Sequence, residues 1–475
     1  MVPVEAQSLD VKRAEVEFHG FASLGEPENA IAVYAEENRR RGALIRTRRE
    51  VIGPLSPFLE IGANAGHTSY MMANEFGAEG FALDISADAL RYGTVLMDRW
   101  RLARAPIRVA GDALNLPFRD GSLRLVMTYQ TLSQFMDLEG VFLEVKRVLA
   151  PGGVFLFGEE PLLRLLSLRL YRVPYYNLMK PWERKLFDWG LLGYLVKDVI
   201  GAYQEESFGI RQNHSMYLTD WRRLVEKHFE PREYQVIVPD RGWGERIVKN
   251  LAIRMDPYRS EWHAARLLGG TLTVLCRKPG EPLPAPFSAG AFERVLRCPD
   301  CGAGMSRSGD TLACTACEYQ AANEGGVYNL LRSADRAELY PGEREDIMDV
   351  CQPGHESRLI DGWYALEGVF GSKFRWIGPR ATARLKRVRP GAQRLRIRGS
   401  AHELAFAQRK PVRISVSVNG RRTGTMELKR PGVFVFEAGV PEAAEYFIEI
   451  SATPAWKAPP DDRVLTVSLS VLRLV

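Results

Sequence analysis

Long hydrophobic runs are missing from this sequence. No stretch reaches the roughly 18 to 20 apolar residues that span a bilayer, and the opening MVPVEAQSLDVKRAEVEFHG lacks the charged-then-apolar layout of a secretory signal. Cysteine is scarce, with 6 among 475 residues, and four of them fall in two tight CxxC pairs. That arrangement excludes a disulfide framework and points to metal binding. An excess of one charge is lacking too: the formal net charge is +6, with acids and bases interspersed, so there is no basic stripe of the kind a nucleic-acid binder needs. Internal repeats and low-complexity tracts are also absent. These absences predict a soluble, cytoplasmic chain in a reducing compartment, with nucleic acid disfavoured as a partner.

What is present is ordinary globular material. A hydrophobic fraction of 46% and a charged fraction of 26% exclude wholesale disorder. The length calls for several domains, since one core rarely serves more than about 200 residues. Composition breaks at 277–290, RKPGEPLPAPFSAG, and at 333–345, SADRAELYPGERE. The expected parts are a first domain over 1–278 with a helical insertion at 161–240, a Cys-rich unit over 292–332, and a last unit over 355–475.

Strands and helices alternate in the first part. Apolar strands are expected at 58–61, 80–83, 107–110, 123–128 and 154–157, with helices at 67–76 and 138–149 between them. Gly77 closes the first of those helices and Pro151-Gly152-Gly153 turns the chain out of the second. That order means an α/β, Rossmann-like parallel sheet. The last unit instead shows alternating segments at 394–398, 412–418, 432–437, 446–450 and 464–472, with Asn419-Gly420 as a hairpin turn, which predicts an antiparallel β-sandwich.

Open parallel sheets bind ligands at the carboxyl ends of their strands. The loop Glu60-Ile61-Gly62-Ala63-Asn64-Ala65-Gly66 lies there, and glycine at 62 and 66 lets backbone pass close to a ligand. Asp84 ends the second strand, where a carboxylate can accept from ribose hydroxyls. Asp112 follows the third, where one can accept from an adenine amine. The phosphate pattern GxGxxG is absent, which fits a ligand without a pyrophosphate.

EIGANAG, ALDIS, GDALNLPFRDGSLRLVMTYQTLSQF and EVKRVLAPGGVFLFGEE, in this order over 58–160, resemble the successive motifs of class I S-adenosylmethionine-dependent methyltransferases. The resemblance implies that Glu60, Gly62, Ala63 and Gly66 frame the methionine part of S-adenosylmethionine. It assigns Asp84, with Ile85 beside it, to the ribose, and Asp112 with Ala113 to the adenine. Tyr129 and Gln130 would close over the sulfonium. His67 departs from the motif and reads as a capping or packing residue.

The acceptor side is expected from the insertion. QEESFGIRQNHSMYLTDW gathers Glu205, Glu206, Arg211, Asn213 and His214; His214 can act as a base near neutral pH, with Glu205 or Glu206 orienting it or holding a sugar hydroxyl. A salt-bridged surface loop explains the same cluster. Glu159 and Glu160, ending the fifth strand, are expected to face the substrate. The apolar, aromatic stretch 161–203, with Arg164, Arg169, Arg172, Lys180, Trp182 and Trp189, reads as a buried helical pair, a lid, or a membrane-surface patch.

Cys298, Cys301, Cys314 and Cys317, as C-x2-C-x12-C-x2-C, have zinc-ribbon spacing, and four thiolates make a closed structural zinc site. Cys276 and Cys351 read as ordinary buried thiols. With Trp363-Tyr364 followed by Glu367, RWIGPRA at 375–381, the Val418-Asn419-Gly420 hairpin and the closing DDR at 461–463, the last unit resembles the β-sandwich modules of bacterial polysaccharide-biosynthesis enzymes. By that resemblance Trp363, Tyr364 and Trp376 could stack on sugars, with Glu367, Arg375 and Arg380 on hydroxyls; core aromatics and structural ion pairs fit the same residues. The activity expected is O-methylation of a sugar, glycolipid or polysaccharide precursor. RNA or protein methylation through the ribbon, and a non-catalytic glycan-binding scaffold, are the alternatives.

Overall fold

The computed structural model describes residues 27–135, 137–162, 216–238, 243–257, 261–281, 287–340, 344–350, 354–368, 373–388, 393–407 and 410–475, together with Leu9, Lys12, Val16 and Lys185. Two compact units result, the first mainly from 26–169 and 194–339 and the second mainly from 340–475. Among the described residues no helix is long and apolar enough to cross a membrane.

The first unit is built on one mixed sheet. Its strands are β1 Phe58–Ile61, β2 Gly80–Asp84, β3 Ile107–Ala110, β4 Leu123–Tyr129, β5 Leu149–Leu162, β6 Glu230–Ile237, β7 Gly270–Arg277, β8 Met305–Ser308, β9 Thr311–Cys314, β10 Gln320–Glu324 and β11 Val327–Asn329. They lie in the order β6-β7-β5-β4-β1-β2-β3-β11-β10-β9-β8. Strands β1 to β5 are parallel, as their apolar runs predict, and β7 and β6 close one side antiparallel. The chain winds from β1 out to β3 and returns to β4 on the other side of β1, so the switch point lies between β1 and β4.

Both faces of this sheet are covered, because alternate strand residues point to opposite sides. Leu59, Ile61, Phe81, Leu83, Val126 and Phe155 join one core, while Phe58, Leu125, Met127, Val154 and Leu156 join another. Helices α1 Pro27–Thr47, α2 Arg49–Ile52, α3 His67–Glu75, α4 Ala87–Arg99, α5 Leu138–Val148, α6 Leu218–His228, α7 Trp243–Met255, α8 Trp262–Leu268 and α9 Ser333–Leu339 belong to the same unit. Ser86 and Asp137 cap α4 and α5, each side chain accepting from a first-turn amide.

The Cys-rich strands extend this sheet. β11 pairs parallel with β3, Tyr328 opposite Val109. From there β10, β9 and β8 continue as an antiparallel meander. The charged break expected at 333–345 carries helix α9, because Asp300 accepts from Ser333 at its start and Leu339 is buried at its end.

The second unit is β-rich. It comprises β12 Ile347–Asp349, β13 Leu359–Glu367, β14 Phe374–Lys386, β15 Gln393–Ala401, β16 Val412–Val418, β17 Arg421–Leu428, β18 Gly432–Val440, β19 Glu445–Thr453, β20 Trp456–Ala458, β21 Asp461–Leu465 and β22 Ser468–Leu474. The main path is β17-β16-β19-β14-β22-β15-β18, all antiparallel. Asn419 and Gly420 sit at φ 50° and 75°, which is the left-handed geometry an Asn-Gly hairpin needs. The path curls until its ends meet: a Cβ on Gly424 of β17 would lie 2.9 Å from the Phe436 ring of β18.

Candidate functional site

The carboxyl ends of β1 to β5 gather the residues read from the sequence. Between β1 and α3 the backbone passes through positive φ at Gly62 (67°), Asn64 (51°) and Gly66 (77°), a tight path that glycine makes inexpensive. A Cβ on Gly62 would stand 2.3 Å from the Thr131 methyl, so the loops after β1 and β4 touch at this point. Glu60 is buried and accepts from the Ser69 amide at 2.8 Å and its hydroxyl at 2.6 Å. It thereby pins the first turn of α3, and burial pushes its carboxyl above the usual range.

Asp84 ties two loops together. Its Oδ2 accepts from the Asn64 amide at 2.8 Å and its Oδ1 from the Ser86 amide at 2.9 Å. Each oxygen keeps a further lone pair for a ribose hydroxyl. Ile85, between Asp84 and the cap Ser86, is half-buried and Ala63 fully buried. Asp112 accepts from the Leu114 amide at 2.9 Å and pairs with Lys12 at 2.8 Å; Ala113 beside it is buried.

Tyr129 ends β4 beneath the Arg41 guanidinium, 4.3 Å above its ring, and burial raises its phenol above the ordinary range. Gln130, just after β4, and Glu159 on β5 both hold positive φ, 55° and 60°. Gln130 donates to Glu159 at 2.9 Å. Non-glycine residues in this region cost about 1–3 kcal/mol each and cluster at functional sites.

Glu159, expected to face the substrate, stays partly exposed and accepts from Arg41 and Gln130. Glu160, expected there too, is fully buried, accepts from the amides of Thr131, Leu132 and Ser133, and holds the turn after β4. Burial pushes its carboxyl up to about 7.

Helix α1 brings residues that sequence reasoning missed. Arg41 is buried and donates to Glu159 at 2.7 Å and Thr68 at 2.8 Å, with Glu37 at 3.3 Å. His67, taken above for a capping or packing residue, joins this network. Its Nε2 lies 2.8 Å from Glu37 and 2.9 Å from Arg41, its ring stacks on Tyr34 at 4.2 Å, and its buried Nδ1 has no hydrogen-bond partner among the described residues. The missed signal was a polar stripe at helical spacing, Tyr34, Glu37, Asn38 and Arg41. His214, Glu205 and Glu206 lie outside the described residues, as does nearly all of 161–203.

The cysteines converge. The Sγ atoms of Cys298, Cys301, Cys314 and Cys317 all lie within 4.8 Å of one another. Cys298 is buried, while Cys301 and Cys317 are exposed. Cys276 is a buried thiol on β7, and Cys351 lies outside the described residues.

In the second unit the proposed sugar ligands have internal partners. Trp363 donates to Thr382 O at 2.8 Å, Tyr364 to Val464 O at 3.1 Å, and Trp376 packs edge-on against Trp456. Glu367 pairs with Arg463, Arg375 with Glu356 and His355, and Arg380 with Glu449. These residues build the unit itself, which fits the core-aromatic and ion-pair reading.

Comparison with known proteins points the same way as the strand-end geometry. A family model described as a methyltransferase domain matches residues 59–157. Norajmaline N-methyltransferase of Rauvolfia serpentina is 28% identical over 128 residues, 27% of this chain and 41% of that protein. Malonyl-[acyl-carrier protein] O-methyltransferase of Geobacter sulfurreducens is 32% identical over 102 residues, covering 21% and 37%. The chain spans less than half the length of the curated relatives it matches. A putative methyltransferase from Bacillus halodurans shares 16% identity at a TM-score of 0.31, over 50% of this chain and 99% of that one. Residues 59–157 thus match a methyltransferase domain.

Proposed function

We propose that this chain transfers a methyl group from S-adenosylmethionine to a hydroxyl, the acceptor class being a sugar, glycolipid or polysaccharide precursor. The observation that carries the cofactor half is the cradle at the ends of β1 and β2. Glycine at 62 and 66 lets the loop turn through positive φ and, at 62, close against Thr131, and Asp84 is held by two backbone amides with lone pairs to spare. Asn64 Oδ1 and the Tyr129 hydroxyl are buried there without hydrogen-bond partners among the described residues, which suits a polar ligand.

Bound S-adenosylmethionine supplies an activated methyl group. The residues of this chain hold and orient it: Asp84 takes the ribose, Asp112 and Ala113 the adenine, and Glu60 fixes the loop that frames the methionine part. A hydroxyl acceptor loses a proton as it is methylated, so a base within hydrogen-bond reach is required. We assign that base to His67, oriented by Glu37, with Glu159 available to hold an acceptor hydroxyl; His214 with Glu205 or Glu206 is the other candidate. The four cysteines we assign to structural zinc, since a closed set of thiolates suits it and leaves no position for water.

The test is calorimetric titration with S-adenosylhomocysteine, followed by an acceptor screen with labelled cofactor. Asp84→Ala should weaken binding by on the order of 100-fold, through loss of charge-assisted hydrogen bonds. Absence of binding by folded wild-type chain would overturn the proposal. With an acceptor in hand, His67→Gln and His214→Gln decide the base: the true one lowers kcat and leaves cofactor affinity unchanged.

A further inference from the structure

The turn that carries the first cysteine pair is bonded directly to the loop that carries Asp112. Asp112 opens a tight turn in which the Asn115 amide donates to its carbonyl at 3.0 Å and the Leu114 amide to its carboxylate at 2.9 Å. The Asn115 side chain leaves this turn and donates to Pro299 O at 3.0 Å. Pro299 lies between Cys298 and Cys301. Arg297, next to Cys298, donates to Leu116 O at 3.2 Å, and its own amide donates to Pro117 O at 3.1 Å.

A second route reaches the same carboxylate. Asp300 accepts from the Ser333 amide at 2.9 Å and its hydroxyl at 2.6 Å, fixing the start of α9. Asp335 in the first turn of α9 holds Lys12 at 2.9 Å, and Lys12 reaches Asp112 at 2.8 Å. A third is the sheet itself, where the Leu330 amide donates to Ala110 O at 2.7 Å, two residues before Asp112.

The turn 298–302 is short, and Cys298 is the one buried member of the four-cysteine set, part of the core of the first unit. Four like thiolates within 4.8 Å repel one another unless a cation joins them. We infer that zinc in the four-cysteine site sets the affinity for S-adenosylmethionine, by holding Pro299 and Asp300 where they fix the Asp112 loop. This rests on the reading of Asp112 as an adenine ligand. The metal thus acts on the cofactor pocket through Asn115, without touching the cofactor.

The experiment uses the full chain, zinc-loaded and then stripped by a chelator, with metal content measured and secondary structure followed by circular dichroism. Two readouts are taken, S-adenosylhomocysteine affinity by calorimetry and amide hydrogen exchange over 110–118. Stripping should weaken binding at least about tenfold, the equivalent of about 1.4 kcal/mol, and speed exchange in that segment, with both restored by added zinc. Asn115→Ala, kept zinc-loaded, should lose affinity in the same direction with zinc content unchanged; this variant decides the matter if stripping unfolds the chain. Unchanged affinity and unchanged exchange on stripping, an Asn115→Ala variant with wild-type affinity, or a purified chain that takes up no zinc would each overturn the inference. If zinc-loaded wild type fails to bind S-adenosylhomocysteine, the methyltransferase reading falls, while the exchange measurement still decides whether metal governs the loop.

Discussion

At the scale of single residues, the carboxylates at the strand ends divide by environment. Asp84 is held by amides and Glu159 by two arginines, whereas Glu160 is enclosed and its carboxyl stands near 7. A carboxyl raised in the fold makes the native state the better proton binder. Its contribution to stability is therefore present below the ordinary value of 4.5 and lost as pH climbs towards about 7. The span corresponds to about 3 kcal/mol. Glu160→Gln should flatten the pH dependence of urea stability between those values, and a variant with the wild-type slope would show that another group is responsible. In the sequence Glu159 and Glu160 were indistinguishable; the positive φ at Glu159 and the irregular pairing with β7 there leave one partly exposed and turn the other inward. Glycines 62 and 66 were legible because their backbone demand is local. Glu37, Arg41 and His67 were not, because a polar stripe on a helix looks the same whether it meets solvent or a buried partner.

At the scale of elements, the five parallel strands were legible because each is a short apolar run closed by a turn signal. The contact between β11 and β3 was not, for it joins three-residue Val327–Asn329 to a strand some two hundred positions earlier. Local pattern carries no record of such a pairing. β11 is braced from its own side by Tyr319, whose hydroxyl lies 3.1 Å from Asn329 O and 2.8 Å from Leu331 O. Tyr319→Phe should cost about 1 kcal/mol in denaturant unfolding, the typical worth of a buried hydrogen bond. A cost near zero would mean that solvent replaces the hydroxyl.

At the scale of the molecule, the described residues build separate cores, one set around the parallel sheet and another within the β-rich unit. Calorimetric unfolding should accordingly show more than one transition. S-adenosylhomocysteine at about 100 times its Kd should stabilise the transition of the first unit by about 2.7 kcal/mol and leave that of the second where it was. A uniform shift of all transitions would mean that the units unfold as one.

The position of β11 has one more consequence. Without it β3 would be the last strand of a parallel sheet, offering a row of free amides and carbonyls to any passing chain. The Cys-rich segment is thus a guard on that edge, and loosening it from β3 would leave the sheet open to pairing with another chain.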